Sequence, residues 1–267
     1  MSSLSKLIDM SGRRALITGA AGGLGRVMSE TLAEMGADLV LVDLNAPGLF
    51  EQANSLVQRY GINVQVECCD LEDSTQREAL AKKVLGNGKV LDVLINNAAF
   101  VGTSGLQGWS EPFEKQTLET WRRALEVNLT SVFHLCQLFV QALRESAGGN
   151  IINIASIYGE YGPDWSLYEG TLMASPAAYG ASKGGVIQFT RWLATTLGPD
   201  IRANVISPGG VVRGQPDSFV DRYEKRTPLS RMATEEDFRG AVAYLASDMS
   251  SYVTGMVLRV DGGWGVW

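Results

Sequence analysis

The amino-acid sequence predicts an α/β protein whose core is a doubly wound parallel sheet with helices on both faces. Short runs rich in β-branched and other apolar residues alternate with helical patterns along the whole chain. The runs are mostly apolar throughout, which is typical of parallel strands that are buried on both faces. The predicted strands span residues 15–18, 39–43, 64–68, 90–95, 151–155, 203–207 and 256–260.

The segments between these runs carry helix signals. Apolar side chains recur with helical spacing over residues 24–35, and longer helices are predicted from about 117 to 143 and from 179 to 197. Residues 158–178 are rich in Gly, Pro, Tyr and Trp and predict a long loop, which in a compact domain is often functional. No repeat or linker interrupts the alternation, so we expect one domain over residues 1–267.

Composition excludes several classes of function. Hydrophobic residues make up 45% and charged residues 19% of the chain, a balance that suits a globular protein with a core. The net charge of −6, without a basic run, argues against a nucleic-acid partner. No apolar stretch predicts a signal peptide or a membrane span, so we expect a cytoplasmic protein with no membrane partner. One histidine and three cysteines without a CxxC pattern predict neither a metal site nor a disulfide framework: His134, Cys68, Cys69 and Cys136.

The predicted first strand leads into a glycine-rich turn that contains Gly19, Gly23 and Gly25, and a helix follows at once. Glycines allow close approach of a ligand, and the free N–H groups at a helix N-terminus suit a pyrophosphate. The sequence therefore predicts a dinucleotide site, although a tight strand-to-helix turn without a ligand remains open.

An acidic residue ends the second predicted strand. Asp43 lies 18 residues after Gly25 (43 − 25), close to the distance of about 20 at which a carboxylate meets the ribose hydroxyls of a dinucleotide. Leu44 follows where an arginine would favour a 2′-phosphate, so the sequence predicts NAD(H) over NADP(H). The alternative is that Asp43 only forms a turn at the strand end.

Polar residues also follow the third and fourth predicted strands. Asp70 could accept a hydrogen bond from an adenine amino group, or it could cap the next helix. Asn96 could bond the backbone to the cofactor or to neighbouring strands. Both lie at carboxyl ends of strands, where open α/β sheets bind ligands.

Tyr179 is the one tyrosine with a lysine four residues later, Lys183, so both side chains lie on one face of a helix. A nearby ammonium stabilises a phenolate, so we expect Lys183 to bring the pKa of Tyr179 toward neutrality and make it a usable acid and base. Ser156 ends the fifth predicted strand at the same edge of the sheet, where its hydroxyl could hold a substrate oxygen or form a turn. The alternative is a purely structural pair, in which Tyr179 packs in the core and the aliphatic part of the Lys183 side chain is buried beside it.

Asn128 lies on an apolar helical face, where its amide needs hydrogen-bond partners. It could satisfy a local distortion of the helix, order a water beside Lys183, or do both.

Together these motifs resemble those of the compact, single-domain branch of the short-chain dehydrogenase/reductases. The match runs from about Arg14 to Gly263 in the expected order. It rests on Thr18-Gly19-x-x-x-Gly23-x-Gly25, Asn96-Asn97-Ala98-Ala99, Asn128, Ser156, Tyr179-x-x-x-Lys183 and Ser207-Pro208-Gly209.

The resemblance implies a Rossmann-type sheet of seven parallel strands and a homo-oligomer, either a tetramer or a dimer. It also implies that Asn128, Ser156, Tyr179 and Lys183 form a catalytic tetrad, with Lys183 bonding the nicotinamide ribose. The implied cofactor-binding residues are Gly19, Gly23, Leu24, Gly25, Asp43, Asp70, Leu71, Asn97, Ala98, Tyr179, Lys183, Pro208, Gly209 and Val211.

Three positions depart from the family pattern. Ala99 replaces a glycine, and Arg213 stands where a threonine often contacts the cofactor. Tyr179 follows Ser156 by 23 positions (179 − 156) instead of about a dozen. The inserted loop, 158–178, either overhangs the substrate or packs against a neighbouring subunit.

We expect Tyr158, Tyr168, Glu169 and Arg213 to contact the substrate, because aromatic and polar groups suit a polyhydroxylated molecule and arginine suits an anion. The sequence thus predicts an NAD-dependent oxidoreductase that acts on a secondary alcohol or ketone of a sugar, sugar acid or nucleotide sugar. Two alternatives are a 3-oxoacyl-(carrier-protein) reductase-like enzyme and a non-catalytic dinucleotide-binding protein.

Overall fold

The computed structural model describes residues 3–86, 88–101 and 106–267. In these residues seven parallel strands form one sheet in the order β3-β2-β1-β4-β5-β6-β7. The predicted α/β class and doubly wound parallel sheet are confirmed. The strands are β1 (Arg14–Thr18), β2 (Asp38–Asp43), β3 (Val64–Cys68), β4 (Val93–Asn96), β5 (Gly149–Ile154), β6 (Ile201–Pro208) and β7 (Val257–Val260).

The apolar runs form strands because both faces of the sheet are covered. In β1, Leu16 packs into a cluster on one face, whereas Ala15 and Ile17 pack into a second cluster on the other. All three side chains are fully buried. A strand in this position has no solvent face, and this explains why its sequence does not alternate.

Helices connect the strands and lie on the two faces. They are α1 (Leu4–Ile8), α2 (Gly23–Glu34), α3 (Ala46–Tyr60), α4 (Ser74–Val84), α5 (Leu118–Leu125), α6 (Ser131–Arg144), α7 (Ala177–Leu197), α8 (Asp217–Arg226) and α9 (Arg239–Ala246). The helix predicted over residues 117–143 is divided, because a π-helical segment, Glu126–Thr130, lies between α5 and α6. A local π-helix adds a residue to the turn and often marks a functional site.

The inserted segment 158–178 is irregular up to residue 176, as predicted, apart from the 3₁₀ turns Ile157–Gly159 and Trp165–Tyr168, and its last two residues begin α7. Its Leu167 is buried in a separate apolar cluster with Phe219 and Tyr223 of α8 and with Trp264. The insertion therefore packs against α8 and the C-terminal turn of its own chain. Trp264 is 1% exposed in this cluster, whereas Trp267 is 69% exposed.

The residues that the structure describes contain neither a candidate membrane span nor a cluster of metal-binding side chains. None of these helices is long and apolar enough to cross a membrane. Within the same part of the chain, no three His, Cys, Asp or Glu side chains are grouped so that they could hold a metal ion.

Candidate active site

A crevice of about 690 Å³ lies at the carboxyl ends of the strands, and residues from both predicted halves of the site line it. The glycine turn lines one end, and Tyr179 and Lys183 line the other. Most of the residues expected to bind the cofactor or substrate face this crevice: Gly19, Gly23, Leu24, Gly25, Asp43, Asp70, Leu71, Asn97, Ala98, Ser156, Tyr179, Lys183, Pro208, Gly209, Val211 and Arg213. Asn128, Tyr158, Tyr168 and Glu169 lie outside its lining.

The glycine turn leaves no room for a side chain at Gly19 or Gly25. Gly19 has a φ of +65°, which favours glycine, and a Cβ on Gly25 would collide with the Gly19 carbonyl oxygen. Gly22 is the N-cap of α2, and among the described residues no side chain accepts a hydrogen bond from the first N–H groups of this helix. Backbone N–H groups without hydrogen-bond partners, next to glycines that allow close approach, suit a pyrophosphate. The residues present therefore fit a dinucleotide.

Asp43 links the end of β2 to the glycine turn. Its Oδ2 accepts a hydrogen bond from Ala21 N at 2.9 Å, and its Oδ1 accepts from Leu44 N at 2.7 Å. The turn-forming role is therefore present, and the carboxylate also lines the crevice. A carboxylate has about four lone-pair positions, so it can accept further hydrogen bonds from a ligand.

The third and fourth strands contribute in different ways. Asp73, and not Asp70, is the N-cap of α4. Asp70 Oδ1 accepts from Glu72 N at 2.9 Å and the residue faces the crevice. Asn97 Nδ2 donates to Thr18 O at 2.9 Å, which ties β4 to the start of the glycine turn. Asn96 Nδ2 donates to Asn153 Oδ1 at 2.8 Å and so joins neighbouring strands instead.

The end of the crevice opposite the glycine turn contains Ser156, Tyr179 and Lys183. Ser156 follows β5, and the other two lie on one face of α7. Lys183 is 2% exposed, its Nζ donates to Ile154 O at 2.8 Å, and the same Nζ lies 5.8 Å from the Tyr179 ring centroid. The three side chains therefore share one small region beside the end of β5.

Burial has the largest effect on the pKa values of Tyr179 and Lys183. It raises the pKa of Tyr179, although the neighbouring Ser156 hydroxyl and the Arg213 guanidinium both lower it. Desolvation also lowers the pKa of Lys183 to about 8. The direction for Tyr179 differs from the sequence-based expectation, because the same burial that disfavours the ammonium also disfavours the phenolate.

Asn128 lies in the π-helical segment and is fully buried. Its Oδ1 accepts from Phe100 N at 2.6 Å, and its Nδ2 donates to Phe100 O and to Ser182 Oγ. The side chain thus joins the distorted helix to the segment that follows β4 and to Ser182 of α7, one residue from Lys183. This is the helix-distortion role that the sequence left open, and no hydrogen bond joins Asn128 to Lys183 in the described structure.

The expected substrate residues occupy two places. The hydroxyls of Tyr158 and Tyr168 bond each other at 2.6 Å, and neither residue is part of the crevice lining, although Tyr168 is close enough to Tyr179 to contribute to raising its pKa. Glu169 is exposed, and its backbone carbonyl accepts from Arg222 Nη1 at 2.6 Å. Arg213 lines the crevice, where its Nε donates to Glu235 Oε1 at 3.1 Å.

Sequence reasoning missed several residues near the crevice. Phe100, Arg123 and Gln215 line it, and Glu235 reaches its edge through Arg213. Phe100 directly follows the Asn96–Ala99 motif, so its position could have been inferred from that motif. Nothing in the sequence indicates Arg123, because its guanidinium reaches the crevice from α5 only through the folded arrangement.

Comparisons with known proteins agree with this geometry. A family model described as enoyl-(acyl carrier protein) reductase matches residues 19–265. The 3-oxoacyl-[acyl-carrier-protein] reductase FabG of Chlamydia muridarum is 31% identical over 258 residues, which cover 94% of this chain and 96% of that protein.

Two solved structures are also similar. A gluconate 5-dehydrogenase from Burkholderia cenocepacia, in complex with NADP and tartrate, has a TM-score of 0.84 and 29% identity and covers 99% of this chain and 100% of its own. An NAD⁺-bound xylitol dehydrogenase has a TM-score of 0.84 and 28% identity, over 95% of this chain and 99% of its own. From these matches and from the motifs gathered around one crevice, we conclude that the chain belongs to the short-chain dehydrogenase/reductase family.

Proposed function

We propose that the protein is an NAD(H)-dependent oxidoreductase that interconverts a secondary alcohol and the corresponding ketone. One observation carries the proposal: a glycine cradle for a pyrophosphate and the Ser156, Tyr179 and Lys183 side chains line the same crevice. A protein that only bound a dinucleotide would need the cradle but would have no use for a buried lysine beside a tyrosine. The desolvation of Lys183 is costly, and such perturbed groups are typical of catalytic sites.

In the proposed reaction, a nicotinamide cofactor held by the glycine turn and Asp43 would supply or accept the hydride that the substrate's carbinol carbon gains or loses. Tyr179 exchanges the proton of the substrate hydroxyl, and Ser156 holds the same oxygen by a hydrogen bond. In this mechanism, the positive charge of Lys183 opposes the effect of burial, which raises the pKa of Tyr179, and so favours the phenolate that forms when a proton leaves. Asn128 fixes the π-helical segment against Phe100 and Ser182 and so positions α7.

Tyr179→Phe tests the assignment directly. We expect turnover to fall at least about a hundredfold, because the proton donor and acceptor is lost. Binding of ADP-ribose should stay within about twofold of the wild type. Tyr252→Phe is the matched control, since that side chain is fully exposed. Full turnover in the Tyr179→Phe enzyme would refute the mechanism.

The preference for NAD(H) is supported by Asp43. Its carboxylate lines the crevice beside the glycine turn. In the proposed binding mode, a ribose hydroxyl donates to this carboxylate and a 2′-phosphate is repelled by it. Leu44, next to it, is exposed and brings no cation. Similar structures hold NADP in one case and NAD⁺ in another, so the fold permits both.

Asp43→Ser should lower the ratio of kcat/KM for NAD(H) to that for NADP(H) by at least about tenfold, because a repulsive charge is removed. Asp38→Ser changes the opposite end of the same strand and should leave the ratio unchanged. A wild-type preference for NADP(H) would contradict the proposal. It would direct attention to Arg26, whose Nε donates to Ala21 O beside the glycine turn.

For the substrate, we propose a sugar, sugar acid or nucleotide-sugar derivative. The similar structures include one named for gluconate, with tartrate bound, and one named for xylitol. A polyhydroxylated molecule also suits the polar groups of Ser156, Tyr179 and Gln215 in the lining. A panel of polyols, aldonic acids and nucleotide sugars, assayed by NADH absorbance, tests this substrate class.

A 3-oxoacyl thioester is the second candidate, because the 31% identical relative is named for that reaction. Acetoacetyl thioesters therefore belong in the same panel. A kcat/KM for them that exceeds the best carbohydrate value by about tenfold or more would favour this second function.

We also propose that the protein forms a homo-oligomer, a dimer or tetramer. Phe133 and Trp192 are exposed on α6 and α7, and Phe189 lies between them with its ring stacked on Trp192 at 6.2 Å. Adjacent large aromatic groups on a surface mark association sites. Sedimentation of the wild type beside Trp192→Glu tests this, and a monomeric wild type would contradict it.

A further inference from the structure

Two oppositely charged side chains meet above the glycine turn. Arg213 lies five residues after β6 (213 − 208), and Glu235 begins the 3₁₀ turn Glu235–Phe238. A Cβ placed on Gly23 would lie 2.5 Å from Glu235 Oε1 and 3.2 Å from Arg213 Nη2. The ion pair therefore sits directly over the first residue of α2, at the end of the crevice that suits a pyrophosphate.

The backbones on both sides of this pair are fixed. Val212 N donates to Ala233 O at 2.9 Å, which ties the Arg213 segment to the stretch before Glu235. On the other side, Thr234 N donates to the Asp237 carboxylate at 2.8 Å in a capping box. The two side chains can therefore move while this frame stays in place.

The pair itself is easy to open. The Arg213 and Glu235 side chains are 50% and 29% exposed, and one hydrogen bond joins them. Exposed ion pairs of this kind contribute little to stability because water and salt screen them. A ligand with a stronger negative charge can therefore separate them.

The position of the Glu235 carboxylate above the N-terminus of α2 is electrostatically favourable. A carboxylate is favoured near a helix N-terminus, and α2 has no acidic residue in its first turn and no side-chain cap. A pyrophosphate needs the same helix end and can also accept two hydrogen bonds from one guanidinium. The two anions thus compete for one position and for one arginine.

We propose that Arg213 and Glu235 form a crevice latch that the cofactor pyrophosphate opens. Without cofactor, Glu235 holds the Arg213 guanidinium over Gly23 at the start of α2. On binding, the pyrophosphate displaces the Glu235 carboxylate and takes over the Arg213 guanidinium. This inference rests on the dinucleotide cofactor of the proposed function, and it assigns Arg213 to the cofactor instead of the substrate.

The latch makes opposite predictions for its two members. Glu235→Gln removes a competing and repelling charge, so the Kd for ADP-ribose should fall by about three- to tenfold. Arg213→Gln removes the guanidinium that binds the pyrophosphate, so the same Kd should rise by about tenfold. Both changes should shrink in high salt.

Titration calorimetry with ADP-ribose, which carries the pyrophosphate but no nicotinamide, measures these effects without turnover. Adenosine, which has no phosphate, should bind all variants equally. Glu236→Gln is the matched acidic control, because Glu236 is 67% exposed and pairs with Arg239. Arg144→Gln is the basic control, since Arg144 pairs with Asp200 at the end of α6. Neither control should change the Kd for ADP-ribose by more than about twofold.

Three results would overturn the latch. The first is an ADP-ribose affinity that Glu235→Gln does not improve. The second is an Arg213→Gln enzyme that binds ADP-ribose normally but has a raised KM for the substrate, which would make Arg213 a substrate clamp. The third is a wild type that binds neither ADP-ribose nor NADH. Only this third result would also end the proposed function.

Discussion

Lys183 offers a test in which stability and activity should move in opposite directions. Its ammonium is buried in α7, and desolvation lowers its pKa from 10.5 to about 8. That difference corresponds to about 3 kcal/mol of free energy by which burial of the charge destabilises the folded protein near pH 7. Lys183→Met keeps most of the side-chain volume and removes the charge.

One contact is lost in this variant. Lys183 Nζ donates to Ile154 O at 2.8 Å, and a buried carbonyl left without a partner costs about 1–3 kcal/mol. The net expectation at pH 7 is a variant that is more stable than the wild type by about 1 kcal/mol. Turnover should nevertheless fall at least about a hundredfold, because the charge beside Tyr179 is gone.

The pH dependence gives the sharper readout. The folded-state pKa of Lys183 lies below the unfolded-state value, so between about pH 8 and pH 10.5 the unfolded chain binds more protons. The wild type therefore gains stability as pH rises through this window, and the variant lacks that gain. The stability of Lys183→Met relative to the wild type should fall by about 2 kcal/mol between about pH 7 and pH 9.5.

Urea unfolding followed by tryptophan fluorescence at both pH values measures this difference. Lys83→Met is the matched control, because Lys83 is 63% exposed and pairs with Glu67 at 3.2 Å. It should change stability by no more than about 0.5 kcal/mol at either pH. If Lys183→Met lowers stability at pH 7 and the difference does not vary with pH, the argument that burial strains this lysine is wrong.

Two further predictions follow from close contacts. Gly25→Ala should abolish ADP-ribose binding, because the new Cβ would collide with the Gly19 carbonyl oxygen. Gly148→Ala is the control and should bind ADP-ribose normally, because its Cβ would lie in open space. Equal calorimetric titrations of the two variants would contradict this prediction. Glu160→Gln should lower the free energy of unfolding by about 1–2 kcal/mol, because Glu160 Oε2 accepts two hydrogen bonds from Arg259 at 2.8 and 2.6 Å. Urea unfolding measures this change. An unchanged urea midpoint would show that the pair contributes nothing to stability.

Much of the fold could be predicted because the strands are buried on both faces. A run such as residues 39–43 has no polar face to present, and the structure places β2 over Asp38–Asp43. The first residue of β4 could not be predicted from the sequence in the same way. Val90 and Leu91 are apolar enough to extend the predicted strand, yet ordered pairing begins at Val93. Apolar composition does not specify where a ladder of hydrogen bonds begins.

The site was predictable where chemistry depends on local spacing. Gly25 and Lys183 stand in patterns of a few residues, so their proximity to a turn or a tyrosine follows from helix geometry. The π-helical segment around Asn128 has no comparable signal, because a five-residue change of helical pairing leaves the apolar pattern almost intact. The pairing of Arg213 with Glu235 joins residues 22 apart and arises only when two loops meet in the fold.

The insertion between Ser156 and Tyr179 shows how a long loop can still serve precise chemistry. Ser156 precedes it and Tyr179 follows it, so its conformation helps to set the separation of the two hydroxyls that the proposed mechanism places on one substrate oxygen. Glu160 anchors its start to β6 through Ser207 Oγ at 3.0 Å, and Leu167 anchors its middle against Trp264 and α8. Catalytic geometry tolerates displacements of well under about 1 Å. A loop of this length can meet that demand because its apolar side chains form a small core of their own with the C-terminal turn.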